Sequence, residues 1–123
     1  MLKQFTTFEI AEQETIASVL KGLMMPGAPL LGTVNAPTDA ELMGNLDSKG
    51  KDVLGRLHEI KGGGEFERAY VKAEVEGHRQ LLAIQETYLK TPDSLDEVNV
   101  AKLAKGMIVE HLTLLGDIEK ALG

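Results

Sequence analysis

Apolar residues recur along this chain at intervals of three and four, the spacing of one face of an α-helix, and Gly and Pro cut the recurrence into four segments. Phe5, Phe8, Ile16, Val19, Leu20 and Leu23 share a face and predict a first helix from Phe5 to Met24. Thr6 and Glu9 have the spacing of a capping box should that helix begin there. Leu42, Leu46, Val53, Leu57 and Ile60 predict a second helix from Asp39 to Lys61, with Thr38 and Glu41 as its capping box. Gly44, Gly50 and Gly55 each cost up to ~1 kcal/mol relative to Ala in a helix interior, so a break near Gly50 is expected to compete with that helix.

A third helix is predicted from Glu65 to Lys90 after the turn Gly62-Gly63-Gly64, which implies an antiparallel neighbour. It carries two stripes: Phe66, Tyr70, Ala73, Gly77, Leu81, Ile84 and Tyr88, and beside them Val71, Val75, Leu82 and Leu89. Apolar cover on about half its circumference predicts the most buried helix, with Gly77 permitting close packing. Ser94 and Glu97 cap a fourth helix, Leu95 to Leu122, whose face is Val100, Leu103, Ala104, Met107, Leu114, Leu115, Ile118 and Leu122. No strand alternation and no repeat interrupts the pattern. The expected fold is all-α, one domain over residues 1–123, an antiparallel four-helix bundle. The Pro/Gly linker from Met25 to Pro37 reaches about 40 Å when extended, against about 30–35 Å for a helix of 20-odd residues. It is therefore long enough for a crossover joining helices 1 and 2 in parallel.

Composition sharpens this. Aromatic residues are 4% and Trp is absent, so the core has to be aliphatic, which suits helix-on-helix packing. The net charge of −6, with no clustered Lys or Arg, argues against nucleic acid and against an anionic membrane surface. No apolar run approaches the ~20 residues of a membrane span, so no transmembrane segment is expected. Without cysteine there are no disulfides, thiolate metal sites or cysteine nucleophiles. The start of the chain does not read as a signal peptide, which implies a cytoplasmic protein or a mature, trimmed form.

Chemistry enters where polar groups interrupt apolar faces. At 100° per residue, Glu12 lies within about 40° of Phe5, Phe8, Ile16, Val19 and Leu23 on the first helix, with Glu9 inside that face but nearer its edge. Glu74 and His78, four apart on the third helix, fall between its two stripes and can meet. His111 lies mid-face on the fourth helix, whereas His58 points away from the second helix's stripe and reads as solvated. A buried carboxylate must be neutralised, paired or bound to a cation. Glu12, Glu74, His78 and His111 therefore form either a polar network fixing helix register or the ligands of an iron, manganese or zinc ion. The Glu-x-x-His pairs of di-iron carboxylate bundles are missing, and Glu110 points away from His111, so the metal reading is of one ion or a partial site. Ser18, Ser48 and Ser94 stand in no nucleophile motif, and the glycine run follows no strand, so no catalytic residue is assigned. Tyr70 and Tyr88 read as core anchors with wet hydroxyls.

Phe66-Glu67-Arg68-Ala69-Tyr70, then Val75 and His78, then Glu110-His111-Leu112, resemble domain-of-unknown-function family 4142. Phe66, Arg68 and Tyr70 carry the family motif. The resemblance spans roughly Pro37 to Leu122, and Phe8-Glu9-Ile10 is similar to the family's first helix. The family's second helix, ending in Asp-His, has no counterpart here; the Pro/Gly linker stands in its place. The resemblance implies a bacterial, periplasmic or envelope protein of ferritin-like fold, with His78 and His111 as its positions of interest. The first functional expectation is thus a non-enzymatic interaction or structural bundle, acting through a protein partner or a second copy of itself and requiring no cofactor. The alternative is a metal-binding bundle with oxidative or metal-storage activity.

Overall fold

The computed structural model describes residues 1–25, 27 and 32–123, and all regular structure among them is helical. Five helices follow one another: α1 (Leu2–Leu23), α2 (Asp39–Asn45), α3 (Ser48–Glu59), α4 (Gly63–Lys90) and α5 (Leu95–Leu122). The all-α expectation holds. The count rises because the second predicted helix is two. Backbone turns extended at Leu46 and Asp47, and the Asp47 carboxylate restarts the helix by accepting the Gly50 N–H at 2.7 Å. A short acidic side chain that caps its own downstream N–H favours a new start over a continued helix, and the flanking Gly44 and Gly50 weaken the continuation. The break thus falls at Leu46–Asp47, a turn before Gly50.

Thr38 accepts the Glu41 N–H and Ser94 accepts the Glu97 N–H, as the spacing predicts. The Thr6–Glu9 box does not form. The first helix begins at Leu2, so both residues are interior to it and Glu9 is free to turn inward.

The two longest helices, α4 and α5, pair along their length as an antiparallel hairpin, and α1 lies against them. Phe5 of α1 clusters with Val71 of α4 and with Leu115 and Ile118 of α5, while Glu12, two turns on, meets His111. Higher numbers on α1 thus face lower numbers on α5, so α1 is antiparallel to α5 and parallel to α4. The α3 helix packs outside α4, with Lys49 on Glu76 at 3.0 Å and Ile60 near Ala69, antiparallel across a turn in which Gly62 and Gly63 take φ of 84° and 74°. Only glycine adopts such angles without strain. It follows that α3 runs opposite to α1, which corrects the expected parallel crossover. Within the linker, Pro26 and residues 28–31 lie outside the described residues.

The buried positions of α5 are Ala101, Ala104, Ile108, His111, Leu115 and Ile118, alternating by three and four, the seam spacing of packed helices. The same alternation runs through Leu2, Phe5, Glu9, Glu12 and Ile16 on α1, and through Val71, Val75, His78 and Leu82 on α4. This departs from the predicted faces in several places. Phe8 is 58% exposed and Leu103 is 77% exposed, although both were expected on buried faces. The most buried helix is α5, not α4, whose Leu81 and Ile84 stripe is left uncovered. Gly77 does not serve close packing, because a Cβ there would meet nothing within 4 Å. Beside it, α3 rides over the small side chains Ala69 and Ala73 and leaves a groove of about 320 Å³.

Candidate metal centre

Each helix of the trio places a polar residue on its seam, in one layer above the Phe5–Val71–Leu115–Ile118 cluster. Glu9, His78 and His111 are all buried there, at 8%, 2% and 4% exposure. Phe5 closes the layer from the core side, its ring edge-on to His111 with centroids 5.1 Å apart. The apolar floor keeps water from the imidazoles, so their protons and charges must be satisfied by protein groups or by a bound ion.

The hydrogen-bond pattern decides which ring nitrogens are available. His78 Nδ1 is 2.7 Å from the Glu74 carbonyl oxygen. A carbonyl only accepts, so Nδ1 carries a proton there. Nε2 of the same ring then points at Glu9 Oε1, 3.0 Å away, and at His111 Nδ1, 3.1 Å away. The far nitrogen of His111, Nε2, faces Glu12 Oε2. Two imidazole nitrogens and a carboxylate oxygen, from three helices, therefore converge with all three ligand atoms within 4.8 Å of one another. Each imidazole has its other nitrogen turned to an oxygen, one a carbonyl and one a carboxylate.

Charge in the layer is unbalanced. Glu9, Glu12 and Glu74 surround two imidazoles, and among the described residues no lysine or arginine pairs with any of the three. Without an ion, the pair Glu9–His78 carries the compensation. Burial pushes the Glu9 carboxyl up, but the hydrogen bond and positive charge of His78 outweigh it and leave the pKa below the usual value. Burial pushes the His78 imidazole down, and its bonds to Glu9 and to the Glu74 carbonyl more than reverse this. For Glu74 the balance is reversed: burial, then the charge of Glu9, outweigh the nearby His78 and raise it to about 7. Tyr70, against Glu74, is raised to about 12 by burial and by that same carboxylate.

One proton on His78 Nε2 can satisfy Glu9 or His111 Nδ1 well, not both. A divalent cation satisfies all three at once. Two imidazoles and a carboxylate are the donor set of open zinc sites and of non-haem iron sites, borderline ions that accept nitrogen and oxygen together.

Of the residues predicted from sequence, His78 and His111 belong to the convergent set. Glu74 supplies its carbonyl to His78, with its carboxylate Oε2 at 3.5 Å from the same nitrogen. Glu12 lies behind His111 rather than in the triad. Glu9, read as an edge residue, is the carboxylate of the triad. The signal for it was available: leaving Phe8 and Val19 out of the α1 face moves the centre by roughly 20°, from nearer Glu12 to nearer Glu9. Of the motif residues, Phe66 stacks on Tyr70 with centroids 6.1 Å apart, and Arg68 is exposed. His58 is exposed, and Tyr88 donates to Asp93 at 3.0 Å near the α4–α5 turn. No helix among the described residues is long and apolar enough to cross a membrane. Comparison with known proteins returns no match, whether to family models, to curated proteins or to solved structures.

Proposed function

We propose that this protein is a helical metal-binding protein that takes one divalent first-row transition ion, of the zinc, iron or manganese kind, through Glu9, His78 and His111. The observation that carries the reading is the convergence of His78 Nε2, His111 Nδ1 and Glu9 Oε1 with both outward nitrogens already turned to oxygens. Histidines that ligate metals have their second nitrogen tied in this way, which fixes ring orientation and raises donor strength. The absence of cysteine removes thiolate competition and leaves a nitrogen-oxygen site. Three protein donors leave coordination positions free, so the site suits ion holding or chemistry at an open position, in line with a storage or oxidative role.

The measurement is elemental analysis of untagged protein, followed by titration of the stripped protein with Zn²⁺, Fe²⁺ and Mn²⁺. Near one ion per chain is expected, with loss of binding in His78→Ala and His111→Ala. Metal content far below one per chain, unchanged by either substitution, overturns the reading. What then remains is an interior ion pair that fixes helix register in an interaction or structural bundle. A ferritin-like ancestry and a periplasmic or envelope location in a bacterium are supported by the Phe66–Tyr70, His78 and His111 resemblance alone.

A further inference from the structure

Glu12 approaches the metal layer from the side opposite the three converging atoms. Its carboxylate Oε2 is 2.5 Å from His111 Nε2, and the two side chains are 40% and 5% exposed. The oxygen itself is wholly buried, and among the described residues it completes no hydrogen bond. A buried acceptor without a donor costs roughly 1–3 kcal/mol, and the nearest ring proton able to relieve it belongs to His111 Nε2. Among the described residues His111 has no other partner on that nitrogen. Its Nδ1, in contrast, is committed to the layer shared with His78 Nε2 and Glu9 Oε1.

We infer that Glu12 is the positioning residue of the metal site: by holding the proton of His111 on Nε2, it presents the Nδ1 lone pair to the ion. This rests on the metal reading above and assigns Glu12 no bond to the metal. The two histidines are then set by different devices. The Glu74 carbonyl does the work for His78 through the backbone of α4, which no side-chain substitution removes. The Glu12 side chain does it for His111 across the α1–α5 contact. Docking of α1 therefore brings both the carboxylate ligand Glu9 and the group that selects the His111 tautomer, a turn apart on one seam. Removing an outer carboxylate of this kind weakens metal affinity by roughly 10- to 100-fold.

The test uses the full chain, stripped and titrated with Zn²⁺ by calorimetry, as wild type, Glu12→Gln and Glu12→Leu. The Leu variant is expected to keep one ion per chain with affinity about 10- to 100-fold weaker, and Gln, which retains an acceptor oxygen, to recover much of the loss. Nitrogen-15 spectra of the imidazoles should show His111 as the Nε2–H tautomer in wild type and in the Gln variant, with that preference lost in the Leu variant. A purely structural role would not move the tautomer. Affinity unchanged in Leu overturns the inference while leaving the metal reading intact. So does a wild-type stoichiometry of two ions falling to one in Leu, since Glu12 would then be a ligand. A wild type that binds no ion overturns the metal reading and this inference together.

Discussion

Glu74 shows what burying a second carboxylate beside Glu9 does to the metal-free protein. Its pKa is raised to about 7 by burial and then by Glu9, against 4.5 for the ordinary group. A raised acid opposes folding only once ionised. The penalty is absent below pH 4.5, grows as pH rises towards 7, and is complete above it. Glu74→Gln mimics the protonated form. It should stabilise the stripped protein by on the order of 2 kcal/mol at pH 8 and leave it unchanged near pH 4. Denaturant melts at both pH values check this; an equal effect at the two would show that Glu74 does not titrate with folding. Glu9 and His78 act on stability in the opposite sense to Glu74, the first through a lowered pKa and the second through a raised one. The lowered Glu9 adds stability above 4.5 that is lost as pH falls through its folded value, and the raised His78 adds stability below 6.5 that is lost as pH rises through its own. The ion pair is therefore strongest between those limits, where a metal must displace the His78 proton in order to bind.

Among the elements, α5 tests the seam most sharply through two adjacent leucines. Both Leu114 and Leu115 belong to the apolar face predicted from periodicity, yet Leu114 is 44% exposed and Leu115 is 0% exposed. Leu115→Ala should cost about 2–5 kcal/mol, the range for an emptied core site, while Leu114→Ala should stay within about 1 kcal/mol. Similar losses at both would mean that α5 is rotated from the observed register. The same contrast explains how much the sequence discloses. Helical class, the Thr38 and Ser94 caps, the glycine turn and the inward aim of His78 and His111 follow from local spacing, which needs no knowledge of neighbours. Ranking Glu12 above Glu9 turned on Phe8 and Val19, apolar residues that stay at the rim because α1 meets its partners along a narrow seam. The split at Leu46–Asp47 was foreshadowed by glycine content, but its site depends on an aspartate cap whose strength competes with helix continuation. That His111 meets Glu12 behind and His78 in front depends on the axial offset of three helices, which no single helix wheel contains.

In the whole molecule, the α4–α5 hairpin is the extensive contact and α1 is held mainly near its first half, by Leu2 and Phe5 in the core and by Glu9 and Glu12 in the polar layer. Beyond Ile16 its Val19 and Leu20 are exposed, so little apolar burial secures the second half. An ion bound to Glu9, His78 and His111 joins α1 to both other helices at one point. Since it binds only the assembled trio, its binding energy becomes docking energy for α1. Local stability then differs along the chain. Hydrogen exchange of the α1 amides should slow by 10-fold or more when Zn²⁺ is added at about 100 times its dissociation constant, while amides central to α4 and α5 change less. Glu9→Gln should abolish most of that slowing, because it removes the one ligand that α1 contributes. If the ion protected all three helices equally, α1 would instead open only together with the hairpin, and the trio would be a single cooperative unit rather than a hairpin carrying a metal-latched third helix.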